Sequence, residues 1–199
     1  MENIICVEKT CCFFGHRKIE VTPELKKMLC HIVESLILNE KVDTFLFGSK
    51  SEFDNLCHEV VTGLKEKYPH IRRIYVRAEF QYINDDYVDY LLDIYDGTYY
   101  PKRVERAGRA SYVQRNREMI DKSKLCIAYY KGSYVSSKGK SGTKIAYEYA
   151  MRKKKKIINL AIKSAEIAEN ENYLMLYEKV KRGMDTPIDE CVSEFEVEW

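Results

Sequence analysis

Residues Lys138–Leu160 read KGKSGTKIAYEYAMRKKKKIINL. The front of this stretch has the form of a small glycine-containing loop feeding a helix, over Thr143–Lys153. Its end, Ile157–Leu160, has the form of a short buried strand. Just upstream, Leu125–Tyr130 (LCIAYY) is a second apolar run of strand length. Strand, loop, helix, strand is a βαβ unit. It predicts parallel strands with the crossover helix packed on the sheet.

The same alternation runs backward through the chain. Cys11–Phe14 (CCFF) reads as the first strand, ended by Gly15. Thr22-Pro23 opens a helix, with Thr as N-cap and Pro at the first helical position. Leu25, Met28, Leu29, Ile32, Val33, Leu36 and Ile37 then mark one helical face. Thr44–Phe47 (TFLF) is the second strand, closed by Gly48-Ser49. Ser51 and Asp54 have capping spacing ahead of a second stripe, Phe53, Leu56, Val60, Val61 and Leu64. Tyr68-Pro69 stops that helix, and Ile71–Ala78 is the third strand. Asn84–Tyr95 fits a helix with acids at its positive end. Asp96-Gly97 reads as a turn, and TYYPKRVERAGRASY (Thr98–Tyr112) as a long polar connection. Val113–Lys122 is the next helix. The expected fold is α/β: a Rossmann-like three-layer α/β/α arrangement on a mostly parallel sheet of order 3-2-1-4-5. Residues 1–163 are expected to form this domain. Residues 164–199, with a helix over Asn172–Arg182 and an acidic end, are expected to pack on it.

Composition narrows the function. Of 199 residues, 45% are apolar and 32% charged, the balance of a soluble domain. Net charge is +2, which argues against nucleic acid as partner. The one dense basic run, Arg152–Lys156, falls where a helix ends, and cations there complement its dipole. No run approaches the ~18 apolar residues that a membrane span needs, so a cytoplasmic protein is expected. The seven cysteines show no CxxC spacing and read as buried thiols of a reducing compartment. No metal site and no separate cofactor is expected. The 16 tyrosines suit half-buried surfaces and clefts, and the Tyr-rich middle is a candidate surface for a homodimer.

Open α/β sheets bind ligands beyond the C-terminal ends of their strands, where the strand order reverses. In the expected order that switch point lies between the first and fourth strands. The loop Gly15-His16-Arg17 should therefore face Lys131–Ser141 and the helix start Lys140-Ser141-Gly142-Thr143. Gly142 lets a ligand approach the backbone. The free N–H groups of a helix start attract anions. Ser141 and Thr143 add hydroxyls, and Arg17 a guanidinium fork. His16 is a candidate donor to phosphate or acid–base group, or simply a loop-fixing hydrogen bonder. Arg115 or Arg117 is placed to reach the same crevice.

Four segments in register, GHR (Gly15–Arg17), FGSKSEFDNLCHEVVTGLKEKYPHI (Phe47–Ile71), RNREMIDKSKLCIAYY (Arg115–Tyr130) and SGTKIAYEYAMRKKKKIINL (Ser141–Leu160), resemble the SLOG superfamily. That superfamily includes LOG cytokinin-activating enzymes and DprA-like proteins, and the match is nearest its YspA/YpsA-like branch of bacterial and phage proteins. The resemblance implies a Rossmann-like fold and a site for a nucleotide or nucleotide-derived molecule. It adds Gly48, Ser49, Asp54 and Asn116 to the expected ligand-binding residues. LOG-type enzymes hydrolyse the N-glycosidic bond of nucleoside 5′-monophosphates and carry PGGxGTxxE plus an arginine before the fourth strand. Arg115 falls at that arginine. Ala146 stands where the glutamate would be, and Glu148 lies about 160° from it around the helix. Glu79, Glu118 and Asp54 are further carboxylates within the matched span. The expected function is therefore ligand binding, as sensor, carrier or sequestering module. LOG-like phosphoribohydrolysis is the alternative, with Arg115 and Glu148 as its catalytic candidates.

Overall fold

The computed structural model describes residues 5–48, 51–78, 85–132 and 141–161. In chain order these form β1 (Thr10–Gly15), α1 (Pro23–Asn39), β2 (Thr44–Phe47), α2 (Glu52–Lys67), β3 (Arg72–Val76), α3 (Asp85–Ile94), β4 (Gly97–Tyr99), α4 (Ser111–Asp121), β5 (Leu125–Tyr129), α5 (Gly142–Arg152) and β6 (Lys156–Asn159), with short 3-10 turns before β1 and α4. The sheet is parallel throughout, in the order β4-β3-β2-β1-β5-β6. The expected 164–199 segment, including its helix, lies outside the described residues.

Local chemistry accounts for each helix start. Thr22 Oγ1 accepts from Leu25 N, with Pro23 as the first helical residue. Ser51 Oγ accepts from Asp54 N, and Ser51 is itself buried. Ser141 Oγ accepts from Lys144 N. Each cap satisfies one of the N–H groups that a helix start leaves without an internal partner.

Side chains alternate across the strands and build two cores. Phe13, Phe45, Phe47, Tyr75, Ile127 and Ile158 face α1 and α2, whose apolar stripes are buried against them. Phe13 stacks between Phe45 and Phe47 at 6.0 and 5.0 Å. Cys12, Phe14, Leu46, Ile74, Val76, Cys126 and Ala128 face the other way, against Met119, Ile120, Ala146 and Ala150 of α4 and α5. Right-handed crossovers explain the layering. Stepping outward from β1 to β2 and β3 puts α1 and α2 on one face. Stepping the opposite way from β5 to β6 puts α5 on the other.

The five expected strands stand in their expected order, and a sixth extends the sheet. Gly97–Tyr99, read in the sequence as a turn and the head of a connection, pairs in parallel with β3 through Ile74↔Gly97, Tyr75↔Thr98 and Val76↔Tyr99. Asp96 anchors it, accepting from Arg73 N and Arg73 Nε at 2.8 and 3.1 Å. The rest of that connection is not loose either, since Pro101 and Val104 are buried.

The basic run is dispersed by the fold. Lys153 caps α5 and pairs with Asp121 at 3.6 Å. Lys154 takes the left-handed turn, φ 53°. Lys155 donates to the carbonyls of Asp121 and Ser123, and Lys156 pairs with Glu40. Among the described residues, no helix is long and apolar enough to cross a membrane.

Candidate functional site

The switch point lies between β1 and β5, and the loops that follow them meet there. β1 and β5 run in register to the Gly15↔Tyr129 pair. His16 N then donates to Tyr129 O at 3.2 Å. In return Lys131 N donates to His16 Nε2, also at 3.2 Å. Thr143 Oγ1 donates to Gly15 O at 2.8 Å. The start of α5 is thereby fastened across the end of β1. Four of the expected site residues, Gly15, His16, Gly142 and Thr143, come together in one place.

The glycines divide by physical role. A Cβ on Gly15 would lie 2.3 Å from Phe53 Cδ1, so this glycine makes room for α2 to pack. A Cβ on Gly48 would lie 2.6 Å from Arg115 Cδ and Nη1, so the guanidinium rests directly on this backbone. A Cβ on Gly142 would meet nothing within 4 Å. Of these three glycines it is Gly142 that borders open space, and it sits at the exposed first turn of α5. With Lys144 N bound by Ser141 Oγ and Ile145 N by Ser141 O, the N–H groups of Gly142 and Thr143 have no hydrogen-bond partner among the described residues. Free N–H groups at a helix start are the kind of donor that an anion accepts from.

His16 acts first as a loop fixer. Because its Nε2 accepts a backbone N–H, its proton sits on Nδ1 and the ring is neutral. Burial, and then the charge of Lys131, hold its pKa below the ordinary histidine value. The ring lies between Tyr129 and Tyr130. The next loop residues are tied to α2, where Glu52 N donates to Arg17 O and Glu52 Oε2 accepts from Ile19 N at 2.7 Å. The Arg17 side chain is left exposed at the rim.

Arg115 is the second focus. It enters from α4 and is only 2% exposed. Its Nε donates to Asn116 Oδ1 at 2.9 Å, and Nη1 reaches Val76 O at 3.5 Å. The guanidinium thus spans the ends of β2 and β3, with the Tyr112 ring 5.7 Å away. Asp54 is buried beside the same β2 end and accepts from Gly48 N at 3.2 Å. Arg117 points elsewhere, onto the Tyr149 ring. Ser49, Glu79 and Lys140 lie outside the described residues.

Two of the carboxylate questions have structural answers. Ala146 is buried in the α4–α5 face of the sheet, so the LOG glutamate position points into packing. Glu148 is half-buried elsewhere on the helix surface. Glu118 is engaged by Arg103 at 3.5 Å. Asp121 accepts from Arg103 and from the Tyr149 hydroxyl. Burial raises the Asp121 carboxyl, but those partners hold it below the usual range.

Sequence reasoning missed Asn159 and Tyr130. The buried Asn159 side chain accepts from Tyr130 N at 2.9 Å and donates to Tyr130 O at 2.8 Å. It fixes the peptide that precedes Lys131 and so helps set the His16 bond. The Tyr130 ring lies tilted against Tyr147 of α5, with centroids 4.8 Å apart. The available signal was a lone amide inside the apolar run IINL, since a buried polar group must find partners.

No known protein-family model matches the chain. The chain is similar to the uncharacterised SPbeta prophage-derived protein YoqJ of Bacillus subtilis (strain 168), with 28% identity over 146 residues, covering 65% of this chain and 81% of that protein.

Proposed function

We propose that the chain binds a nucleotide or nucleotide-derived small molecule in the crevice at the C-terminal ends of β1 and β5, as a sensing, carrying or sequestering module. The observation that carries this reading is the Thr143 Oγ1–Gly15 O bond of 2.8 Å. It seats a helix start, with two N–H groups open, at the position where parallel α/β sheets take phosphorylated ligands. The resemblance of the four segments to SLOG proteins supports the same ligand class. A thermal-shift screen over nucleoside phosphates, nucleotide sugars and ADP-ribose species tests it. A ligand at 100 times its dissociation constant adds about 2.7 kcal/mol of stability. A panel in which no compound raises the melting temperature overturns the reading.

One observation favours a second reading, LOG-like phosphoribohydrolysis: Arg115 is held against Gly48 at the crevice end of the sheet. Weighing against it, the residue three past Thr143 is a buried alanine, whereas an oxocarbenium-like transition state calls for a carboxylate near the ribose. Incubation with AMP separates the two. Release of adenine and ribose 5-phosphate that is lost in Arg115→Ala and kept in Arg109→Ala supports hydrolysis.

A further inference from the structure

The chain carries its charge in two unequal parts. Residues 164–199 hold ten Asp and Glu against three Lys and Arg, while residues 1–163 hold 21 against 30. The net of +2 thus hides a basic domain joined to an acidic segment. Its most acidic part holds Asp185, Asp189, Glu190, Glu194, Glu196 and Glu198, with no base among residues 183–199. Stretches of one charge sign commonly act as interaction segments.

The fold decides where that segment starts. β6 runs parallel to β5, so it ends at the crevice pole. Leu160 N donates to Ala128 O at 2.8 Å, and Ala161 N to Asn159 Oδ1 at 3.3 Å. The same Asn159 side chain holds the Tyr130 peptide, just before Lys131. The chain therefore leaves the sheet beside the loop that follows β5. β6 stands two strands from β1, about 10 Å at ~4.8 Å per strand. Between Ala161 and Asp185 there is chain to spare, since a few residues at about 3.3 Å each cover that distance.

What lies at that pole is basic. Arg17 and Lys131 are exposed and Lys144 is half-buried, and none of the three forms an ion pair among the described residues. Lys131 Nζ lies 5.7 Å from the centroid of the Tyr129 ring. From Lys131 to Lys144 the sequence has four lysines and no acid, so this surplus does not depend on how the loop between them is placed. Gly15–Ile19 adds Arg17 and Lys18, again without an acid, and the loop after β2 adds one of each sign, Lys50 and Glu52. At the other pole the lysines have acids of their own, as in Lys124–Glu40 and Lys9–Asp43.

We propose that the acidic stretch within residues 185–198 docks on the crevice pole of its own chain, its carboxylates at the first turn of α5 and on Lys131 and Lys144. It occupies the place open to a phosphate, so an internal anion competes with an external one and ligand binding frees the segment. Because the segment is attached, its effective concentration at the crevice is of millimolar order, and contacts too weak for a free peptide suffice. The proposal rests on the crevice binding anions, as in the reading above, and adds a regulator to that site.

Carbodiimide coupling of the full wild-type chain is the first test, because it joins a carboxylate to an amine only where the two touch. Mass spectrometry of the digested monomer band should show Lys131 or Lys144 joined to an acid of residues 185–198. Lys26–Glu59 and Lys67–Glu34, at 2.7 and 2.9 Å, serve as internal controls. Control links without any to Lys131 or Lys144 overturn the proposal. So do links from the same acids to Lys124 or Lys154 in their place, or links confined to a dimer band, which mark contact with a second copy. The second test is calorimetric titration with inorganic tripolyphosphate in 0.15 M salt, where charge farther off than about 8 Å is largely screened. The full chain with those six acids changed to Asn or Gln should bind at least tenfold tighter than wild type. Binding that is no tighter, or absent from both proteins, overturns the proposal. A nucleotide that raises the melting temperature in the absence of the crosslinks refutes this inference and leaves the ligand class standing. Crosslinks and tighter tripolyphosphate binding with no nucleotide active in the screen uphold this inference and refute the ligand class.

Discussion

Replacing Gly15 with alanine should destabilise the fold through a single contact. The added methyl would lie 2.3 Å from Phe53 Cδ1, 2.6 Å from Cγ and 2.9 Å from Cβ. Carbon atoms in contact rest at about 3.5–4.0 Å, so the overlap exceeds an ångström. Phe53 cannot swing aside, because it is fully buried and packed on Tyr129 at 5.7 Å. Overpacking of this kind costs about 1–3 kcal/mol, and so deep a clash belongs at the upper end. Alanine also restricts the unfolded chain, which returns about 0.4–1 kcal/mol. The net expectation is about 2 kcal/mol, or roughly 4–8 °C in Tm for a chain of this size. Urea unfolding followed by circular dichroism measures it, with Gly15→Ala made in the wild type and in a Phe53→Ala background. Phe53→Ala alone should cost about 3–5 kcal/mol. If the ring is the cause, adding Gly15→Ala to that variant should cost less than half as much, since only the 2.9 Å contact with the retained Cβ remains, giving a coupling above about 1 kcal/mol. An equal cost in both backgrounds would refute the reasoning and put the requirement in the backbone or the ligand.

Gly142→Ala should behave oppositely, because its methyl enters open space: folding stability should hold or rise by up to about 1 kcal/mol, while titration with the best nucleotide of the screen should show at least tenfold weaker binding. Thr143→Val removes the donor to Gly15 O and should cost about 0.5–1.5 kcal/mol in chemical denaturation, with Thr143→Ser close to wild type. His16, His31 and His58 are all held below the ordinary histidine pKa, chiefly by burial. The unfolded chain therefore binds more protons below about pH 6.5. Stability should be fully present above that pH and fall as pH drops toward 5. His16→Gln should flatten the slope of urea midpoint against pH over that window, and an unchanged slope would show that His16 is not one of the groups responsible.

The crossover helices were legible because each writes its buried face into the sequence at helical spacing. The stripe from Leu25 to Ile37 and that from Phe53 to Leu64 are buried as those spacings require. β4 was not legible for an equally physical reason. Three residues beginning with glycine carry no alternation, and Gly97–Tyr99 is a strand only because β3 and the Arg73–Asp96 pair hold it there. The site shows the same division. That Gly15-His16 would face Ser141-Gly142-Thr143 followed from strand order alone. Which glycine makes room for a neighbouring side chain and which borders solvent did not. That depends on Phe53 and Arg115 arriving from other elements at particular heights. For His16 the sequence left both a ligand role and a loop-fixing role open, since its acceptor function is set by Lys131 N, 115 residues away.

The dispersal of the lysine run has an effect on how anything reaches this protein. At the N-terminal ends of the strands, Lys124 and Lys156 share Glu40, Lys9 meets Asp43, and Lys153 meets Asp121. These lysines are each paired with an acid at that pole. At the opposite pole Arg17, Arg77, Lys131 and Lys144 form no ion pair among the described residues. Basic side chains without ion pairs thus gather at the crevice end, although the whole chain carries only +2. An approaching anion is turned toward the crevice before it touches the surface, and added salt should slow its capture more than it hastens its escape.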